Sequence, residues 1–138
     1  MKLIIQISLI FISFYGHSQI NTDTNDKDSG SLDSVNHIYI PKNLEECFIQ
    51  IDSFWHDTVK IAMKNLSEDE FSGRLHFGFG LWMRNNWGLW GGSLLANFFN
   101  EKGIYHPDDM SAIILDSYHR KLNSKPITDI SHRNSHKI

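Results

Sequence analysis

Residues 105–123, YHPDDMSAIILDSYHRKLN, decide the fold of this chain. Pro107 suits the first position of an α-helix, where its missing N–H has no intrahelical partner to lose. Two aspartates follow in the first turn and the basic residues 119–121 fall in the last, where each charge opposes the partial charge of the helix end. The apolar residues that recur at helical spacing are Met110, Ile113, Ile114, Tyr118 and Leu122. The stretch therefore predicts a long helix with one broad buried face.

The segments before this helix carry their own boundary signals. Residues 93–102 place apolar side chains at helical spacing, and Gly103 followed by Ile104 is typical of a helix that ends in left-handed geometry with a hydrophobic contact. Ser67, with Glu70 three residues later, is the pattern of a capping box at the start of a helix. These signals predict a short helix over 93–102 and the start of another helix at Ser67.

The first part of the domain, IPKNLEECFIQIDSFW (residues 40–55), also has a helical pattern. Asn43 is placed to cap it, and Glu46 is positioned to complete a second capping box. A break is expected near residue 56, after which apolar residues resume helical spacing. Two helices are therefore predicted before the Ser67 capping box.

Residues 75–83, LHFGFGLWM, fit two different secondary structures. The alternation of large apolar residues with His, Gly and Trp predicts a strand. A helix that starts at Ser67 would run through the same residues, although Gly78 and Gly80 each disfavour it by about 1 kcal/mol relative to alanine. We favour the helix, because the capped run is long for a lone strand, and the glycines then predict close helix–helix contact. WGLWGG (87–92) predicts a turn, so the expected fold is all-α: a compact bundle of four to five short helices with a Trp/Gly-rich central turn.

The length of 138 residues suffices for one domain. Residues 1–18 are predicted to be a secretory signal peptide, because an apolar stretch of about 13 residues ends at a Gly-His-Ser site and is shorter than the roughly 20 residues of a membrane-spanning helix. An uncleaved membrane anchor is the alternative. Residues 19–37 are predicted to be a disordered linker, 38–123 a single helical domain and 124–138 a flexible tail. The mature protein is expected to be periplasmic or secreted, without stable insertion in a membrane.

Charge and cysteine usage exclude some functions. The formal net charge is −3, and an acidic protein without a basic stripe is a poor partner for nucleic acid. Cys47 is the only cysteine, so no internal disulfide can form, and its apolar helical surroundings predict a core residue rather than a nucleophile. The chain has no motif of a zinc metalloprotease, a paired-cysteine metal site, a P-loop or a serine hydrolase. No metal, cofactor or catalytic residue is therefore predicted.

The stretch LWMRNNWGLWGG (81–92) concentrates three tryptophans around an Arg-Asn-Asn sequence. One interpretation is structural: large aromatic side chains fill the core of a small domain that has no disulfide. The other is a stacking platform for a sugar or a peptide, with Asn85 and Asn86 as hydrogen-bonding groups. Arg84 is expected to form a bidentate ion pair with one of the two aspartates that start the last helix, and the alternative is that it binds a carboxylate in a cleft. We favour the structural interpretation for the stretch as a whole.

The function predicted from these residues is binding rather than catalysis. Nothing in the sequence resembles an assembled nucleophile–base pair, so we expect a non-catalytic binding or protein-interaction module, with an unknown protein, peptide or glycan as its partner. The alternative is a small cell-envelope hydrolase that uses His106, Asp109 and Arg84. The candidate binding residues are Arg84, Asn85, Asn86, Trp87, Trp90, His106, Asp108 and Asp109.

Two unusual segments carry a resemblance to a known family. WMRNNWGLW (82–90) and GIYHPDDMSAIIL (103–115) resemble a family of small bacterial domains, the domain of unknown function 6794. The resemblance covers nearly all of residues 38–123. It implies one compact domain, and it points to the polar residues of both segments, but it implies no activity, cofactor or catalytic residue.

Overall fold

The fold is all-α, as predicted. The computed structural model describes residues 34, 35, 37–127 and 130. The elements in chain order are β1 Ser34–Val35, β2 Ile38–Tyr39, α1 Leu44–Phe54, α2 Asp57–Lys64, α3 Glu68–Leu75, a π-helical segment His76–Gly80, α4 Leu81–Asn86, α5 Leu94–Asn100 and α6 Pro107–Leu122. The π-helical segment joins α3 to α4 without a break. Counted this way, the described residues form five helices and one small hairpin.

Two helix starts follow the predicted capping chemistry. The Ser67 side chain accepts a hydrogen bond from the Glu70 N–H at 3.3 Å, and the Glu70 carboxylate accepts one from the Ser67 N–H at 3.0 Å. This reciprocal pair is a complete capping box at the start of α3. Pro107 occupies the first turn of α6, also as predicted.

The first helix has only half of its predicted capping box. The Asn43 side chain accepts from the Glu46 N–H at 3.0 Å, so Asn43 is the N-cap of α1. The Glu46 carboxylate instead accepts from the Lys42 N–H and from the Tyr39 hydroxyl. These bonds hold its pKa below the usual value. The Glu46 carboxylate turns toward Lys42 rather than Asn43 because the Tyr39 hydroxyl, at the end of the hairpin, provides a second donor there.

The end of α5 follows the sequence signal closely. Gly103 has φ +77°, its N–H donates to the carbonyl of Asn100, and the Ile104 N–H donates to the carbonyl of Phe99. This is the double hydrogen-bond pattern of a Schellman cap. Ile104 is buried, so the predicted hydrophobic contact after the cap is present.

The ambiguous residues 75–83 are helical, and the strand alternative is wrong. Five of them form the π-helical segment, which sequence periodicity did not predict. At Gly80, an added Cβ would lie 3.3 Å from the Arg84 Nη1 atom and 3.6 Å from a Leu115 methyl carbon. The predicted close helix–helix contact is therefore present at Gly80, whereas Gly78 is exposed.

Helix α6 is the centre of the core. The helices α1 to α5 and the π-helical segment all have contacts with it. Trp55 packs edge-on against Tyr118 of α6 at a ring-centroid distance of 5.5 Å, and it also contacts Phe71 and Phe79. Cys47 is fully buried, as predicted, and burial raises the pKa of its thiol well above the usual value. Packing of these side chains holds the domain together without a disulfide.

A polar contact also ties α1 to α6. The Asp52 carboxylate accepts a hydrogen bond from the Tyr118 hydroxyl at 2.7 Å and contacts the Lys121 ammonium, with Lys60 at 3.9 Å. Burial alone would raise the pKa of Asp52, but the hydrogen bonds from Lys121 and Tyr118 outweigh burial and leave this pKa below its usual value. Burial and the neighbouring carboxylate raise the pKa of Tyr118.

Two short described stretches lie beyond the predicted ends of the domain. β1 pairs antiparallel with β2, Val35 opposite Ile38, so the hairpin crosses the boundary predicted between linker and domain at residue 38. Both of these side chains pack against the core. In the predicted flexible tail, Ile130 is buried and belongs to the same core. The predicted signal peptide, most of the predicted linker and residues 131–138 lie outside the described residues.

Candidate functional site

The Arg84 side chain joins three parts of the helical bundle, and we call its contacts the Arg84 junction. Only 5% of this side chain is exposed. Its Nε atom lies 3.0 Å from an Asp108 carboxylate oxygen, Nη1 donates to the Ser111 hydroxyl at 2.8 Å, and Nη2 donates to the His76 carbonyl at 3.4 Å. The predicted pairing with an aspartate of the last helix is therefore confirmed. A bidentate geometry is not present, because Nη1 and Nη2 are engaged elsewhere.

The Asp108 carboxylate lies at the exposed edge of this junction. It is 45% exposed, with His76 Nε2 at 4.0 Å from one oxygen and His106 Nδ1 at 3.7 Å from the other. His106 is also the N-cap of α6, since its Nδ1 atom accepts a hydrogen bond from the Asp108 N–H at 3.3 Å. Asp108 is thus the carboxylate between Arg84 and His106.

In the hydrolase alternative, Asp109 was the carboxylate expected beside His106 and Arg84. Asp109 is exposed, one residue further along α6, and successive residues of a helix point in different directions. The carboxylate that contacts both Arg84 and His106 is the neighbouring Asp108. Across residues 34, 35, 37–127 and 130, no group of three or more His, Cys, Asp or Glu side chains is placed to hold a metal ion.

Trp82 and Trp87 belong to an aromatic cluster in the core. Trp82 is partly buried and stacks on Phe79 at a centroid distance of 5.4 Å, and Trp87 is fully buried and meets Trp82 edge-on at 5.8 Å. The Trp87 Nε1 atom has no hydrogen-bond partner among the described residues. Asn86 donates from Nδ2 to the Trp82 carbonyl at 2.8 Å, which secures the end of α4. These contacts make Asn86 and Trp87 structural residues of this cluster.

Trp90 has the opposite environment. Its side chain lies in the predicted turn, is 65% exposed, and donates from Nε1 to the Asn85 Oδ1 atom at 3.1 Å. The turn itself is fixed, because the Gly91 N–H donates to the Gly88 carbonyl at 3.1 Å and the Ser93 hydroxyl donates to the same oxygen at 3.0 Å. The indole is therefore held at its polar edge while most of its surface faces solvent.

Other exposed residues continue this surface along the helix. Phe77 is 80% exposed and Leu81 is 44% exposed, and with Asn85 they recur every four residues, which places them on one side of the helical run. We call Phe77, Leu81, Asn85 and Trp90 together the Trp90 face. The sequence pattern pointed to Asn85 and Trp90 but not to Phe77 and Leu81. The four-residue spacing of Phe77, Leu81 and Asn85 could have revealed them. It was hidden because the apolar residues of 75–83 also alternate as in a strand.

The family model described as domain of unknown function (DUF6794) matches residues 40–122, which is more than half of the chain. The chain belongs to this family. No curated protein and no solved structure matches it. The match spans the Arg84 junction and the Trp90 face, so both lie within the DUF6794 domain itself.

Among the residues that the structure describes, no helix is long and apolar enough to cross a lipid bilayer. The longest is α6, and it is the central helix of the core.

Proposed function

We propose that this DUF6794 domain is a non-catalytic binding module whose contact surface is the Trp90 face. The observation that carries the proposal is the environment of Trp90, whose indole is 65% exposed and yet fixed by the hydrogen bond to Asn85. A single exposed apolar side chain is ordinary on protein surfaces. A fixed indole that follows a helical run with two further exposed apolar residues is the kind of rigid surface that binds with little loss of side-chain entropy.

The Arg84 junction supports binding over hydrolysis. An enzyme of the hydrolase type needs its acid, base and stabilising cation to converge on a water-accessible space. Arg84 is buried, and its guanidinium already contacts Asp108, Ser111 and the His76 carbonyl. A guanidinium so engaged can hold helices together but has little capacity left for a substrate. The junction is better explained as the support that fixes the helix carrying the Trp90 face.

A paired array experiment tests this function. The full-length chain is applied to a glycan array and to a peptide array, alongside Trp90→Ala, Phe77→Ala and the control Ile61→Ala. Ile61 is 61% exposed on α2, which makes it a matched exposed apolar residue away from the Trp90 face. We expect a ligand on one array that is lost by the first two variants and kept by the control. Binding that survives Trp90→Ala, or no ligand on either array, would overturn the proposal.

We also propose that the module is exported, on the strength of the sequence alone. The short apolar stretch followed by a small-residue site in residues 1–18 favours a cleaved secretory signal. N-terminal sequencing of the protein purified from its native host is the direct measurement. We expect the mature chain to begin at Gln19, and an intact Met1 in the membrane fraction would contradict export as a soluble protein.

A further inference from the structure

Resting on the proposed function, we infer that the ligand of the Trp90 face is a neutral oligosaccharide built from pyranose rings with equatorial substituents. Such rings present flat faces of axial C–H groups, with hydroxyl groups around the edge. The structure offers complementary chemistry for each part. The three observations that carry the inference are the engaged indole N–H, the amide of Asn85 and the open glycine turn around Trp90.

The engaged N–H decides which part of the indole a ligand meets. The Trp90 Nε1 proton is donated to Asn85 at 3.1 Å, so the indole has no second N–H to offer a ligand carbonyl. A peptide backbone would bring carbonyl and N–H groups that need partners. The available part of Trp90 is instead its π-face, whose negative charge density attracts the slightly positive C–H groups of a sugar.

The same hydrogen bond fixes the orientation of the Asn85 amide. Because Oδ1 accepts from Trp90, the Nδ2 group carries the two protons on the other side of the amide, and Asn85 is exposed. An amide donor next to an aromatic face can bind hydroxyl oxygens at the edge of a stacked sugar ring. None of the four side chains of the Trp90 face is charged. A neutral ligand therefore matches the face in charge.

The turn around Trp90 leaves room for a ring to stack. Gly91 and Gly92 are exposed with positive φ, and a Cβ added to Gly91 would meet no atom within 4 Å. No side chain of these two residues can cover the indole. Since the Gly88 carbonyl is held by Gly91 and Ser93, the platform exists before the ligand arrives, which lowers the entropy lost on binding.

Isothermal titration calorimetry of the full-length chain tests the inference, with cellohexaose and chitohexaose titrated separately. These two probes share the equatorial ring geometry and distinguish a glucan from an N-acetylglucosamine polymer. We expect saturable binding of at least one probe, weakened by about tenfold or more in Trp90→Ala and unchanged in Ile61→Ala. Far-UV circular dichroism and the melting temperature should stay those of the wild type in both variants.

A second variant separates the ligand contact from the positioning of Trp90. Asn85→Asp keeps an oxygen that can accept the indole N–H, but it removes the two Nδ2 protons. We expect it to lose binding by a similar factor while nitrogen-15 relaxation of the Trp90 indole N–H, assigned by its absence in Trp90→Ala, stays at the wild-type value. Binding unchanged in Asn85→Asp, or no binding of either probe, would overturn the inference. If a peptide from the array depends on Trp90 while neither oligosaccharide binds, the sugar ligand is refuted and the binding module stands. If the arrays are also negative, both are refuted.

Discussion

Trp87 and Trp90 are three residues apart and have opposite environments. Trp87 is fully buried at the end of α4, one helical turn after the buried Met83, and its indole N–H has no partner among the described residues. Trp90 follows Gly88, whose φ of +62° turns the chain away from the helix, and its indole is exposed with its N–H engaged. The comparison shows that the backbone turn between them, rather than the residue type, separates a core residue from a surface residue.

The largest expected effect is on the buried member of this pair. Trp87→Ala leaves a cavity among Trp82 and Phe79, and it should lower the free energy of unfolding by about 3–5 kcal/mol. Trp90→Ala, its matched control, should lower it by less than about 0.5 kcal/mol, because the site is exposed. Urea unfolding followed by circular dichroism measures both. Equal shifts of the two midpoints would show that the structural contrast is wrong.

The Arg84 junction gives the second largest expected effect. Arg84→Ala removes the partner of Asp108 and leaves the buried Ser111 hydroxyl without its donor, so the free energy of unfolding should fall by about 2–4 kcal/mol. The exposure of Asp108 keeps the value below that of a fully buried pair. The control is Arg74→Ala, whose exposed ion pair with Glu70 should contribute less than about 0.5 kcal/mol. A similar loss in both variants would contradict a specific role for the junction.

The contact of Asp52 with α6 predicts a smaller effect that depends on pH. The pKa of Asp52 in the folded protein is lower than in the unfolded chain, so the contact stabilises the fold above the ordinary pKa of about 4 and is lost as pH falls through the lowered value. Asp52→Asn should therefore be less stable than the wild type at pH 7, and the difference should shrink below about pH 4. Thermal melts across that range measure it. A difference that grows in acid would contradict the assigned sign.

The smallest expected effect returns to the exposed tryptophan. Asn85→Ala removes the acceptor of the Trp90 N–H but no core contact, so stability should change by less than about 0.5 kcal/mol. The indole should become more mobile on the nanosecond timescale. Nitrogen-15 relaxation of the Trp90 indole N–H, assigned by its absence in Trp90→Ala, would detect this. Unchanged relaxation would show that Asn85 does not fix the ring.

Much of the fold could be predicted because its signals are local. The capping box at Ser67, the left-handed Gly103 and the start of α6 at Pro107 each depend on residues a few positions apart. The positive charge of Arg84 was enough to predict that its partner is one of two adjacent aspartates, Asp108 or Asp109. The buried position of Cys47 followed from its helical pattern.

The remaining features depend on contacts that sequence spacing does not encode. Ile130 lies beyond the end of the last helix in a polar segment, and the hairpin depends on the pairing of β1 with β2. The exposure of Phe77 depends on where the π-helical segment places it. In the candidate site, the choice of Asp108 over Asp109 requires the position of α6 relative to α4. These are matters of tertiary packing, which a single sequence leaves open.

The π-helical segment also bears on which insertions and deletions the domain can tolerate. A π-helical turn closes hydrogen bonds over one more residue than an α-helical turn, so the segment takes up one extra residue while the faces of α3 and α4 keep their relative directions. The buried residues Phe71, Leu75, Phe79 and Met83 accordingly recur every four residues across it. Removing Gly78 would restore an uninterrupted α-helical repeat without turning α4 away from the bundle. Removing one residue from the middle of α6, which is α-helical throughout, would instead rotate the rest of that helix by about 100°. Gly78 is also exposed, so its deletion should be tolerated far better than a deletion within α6.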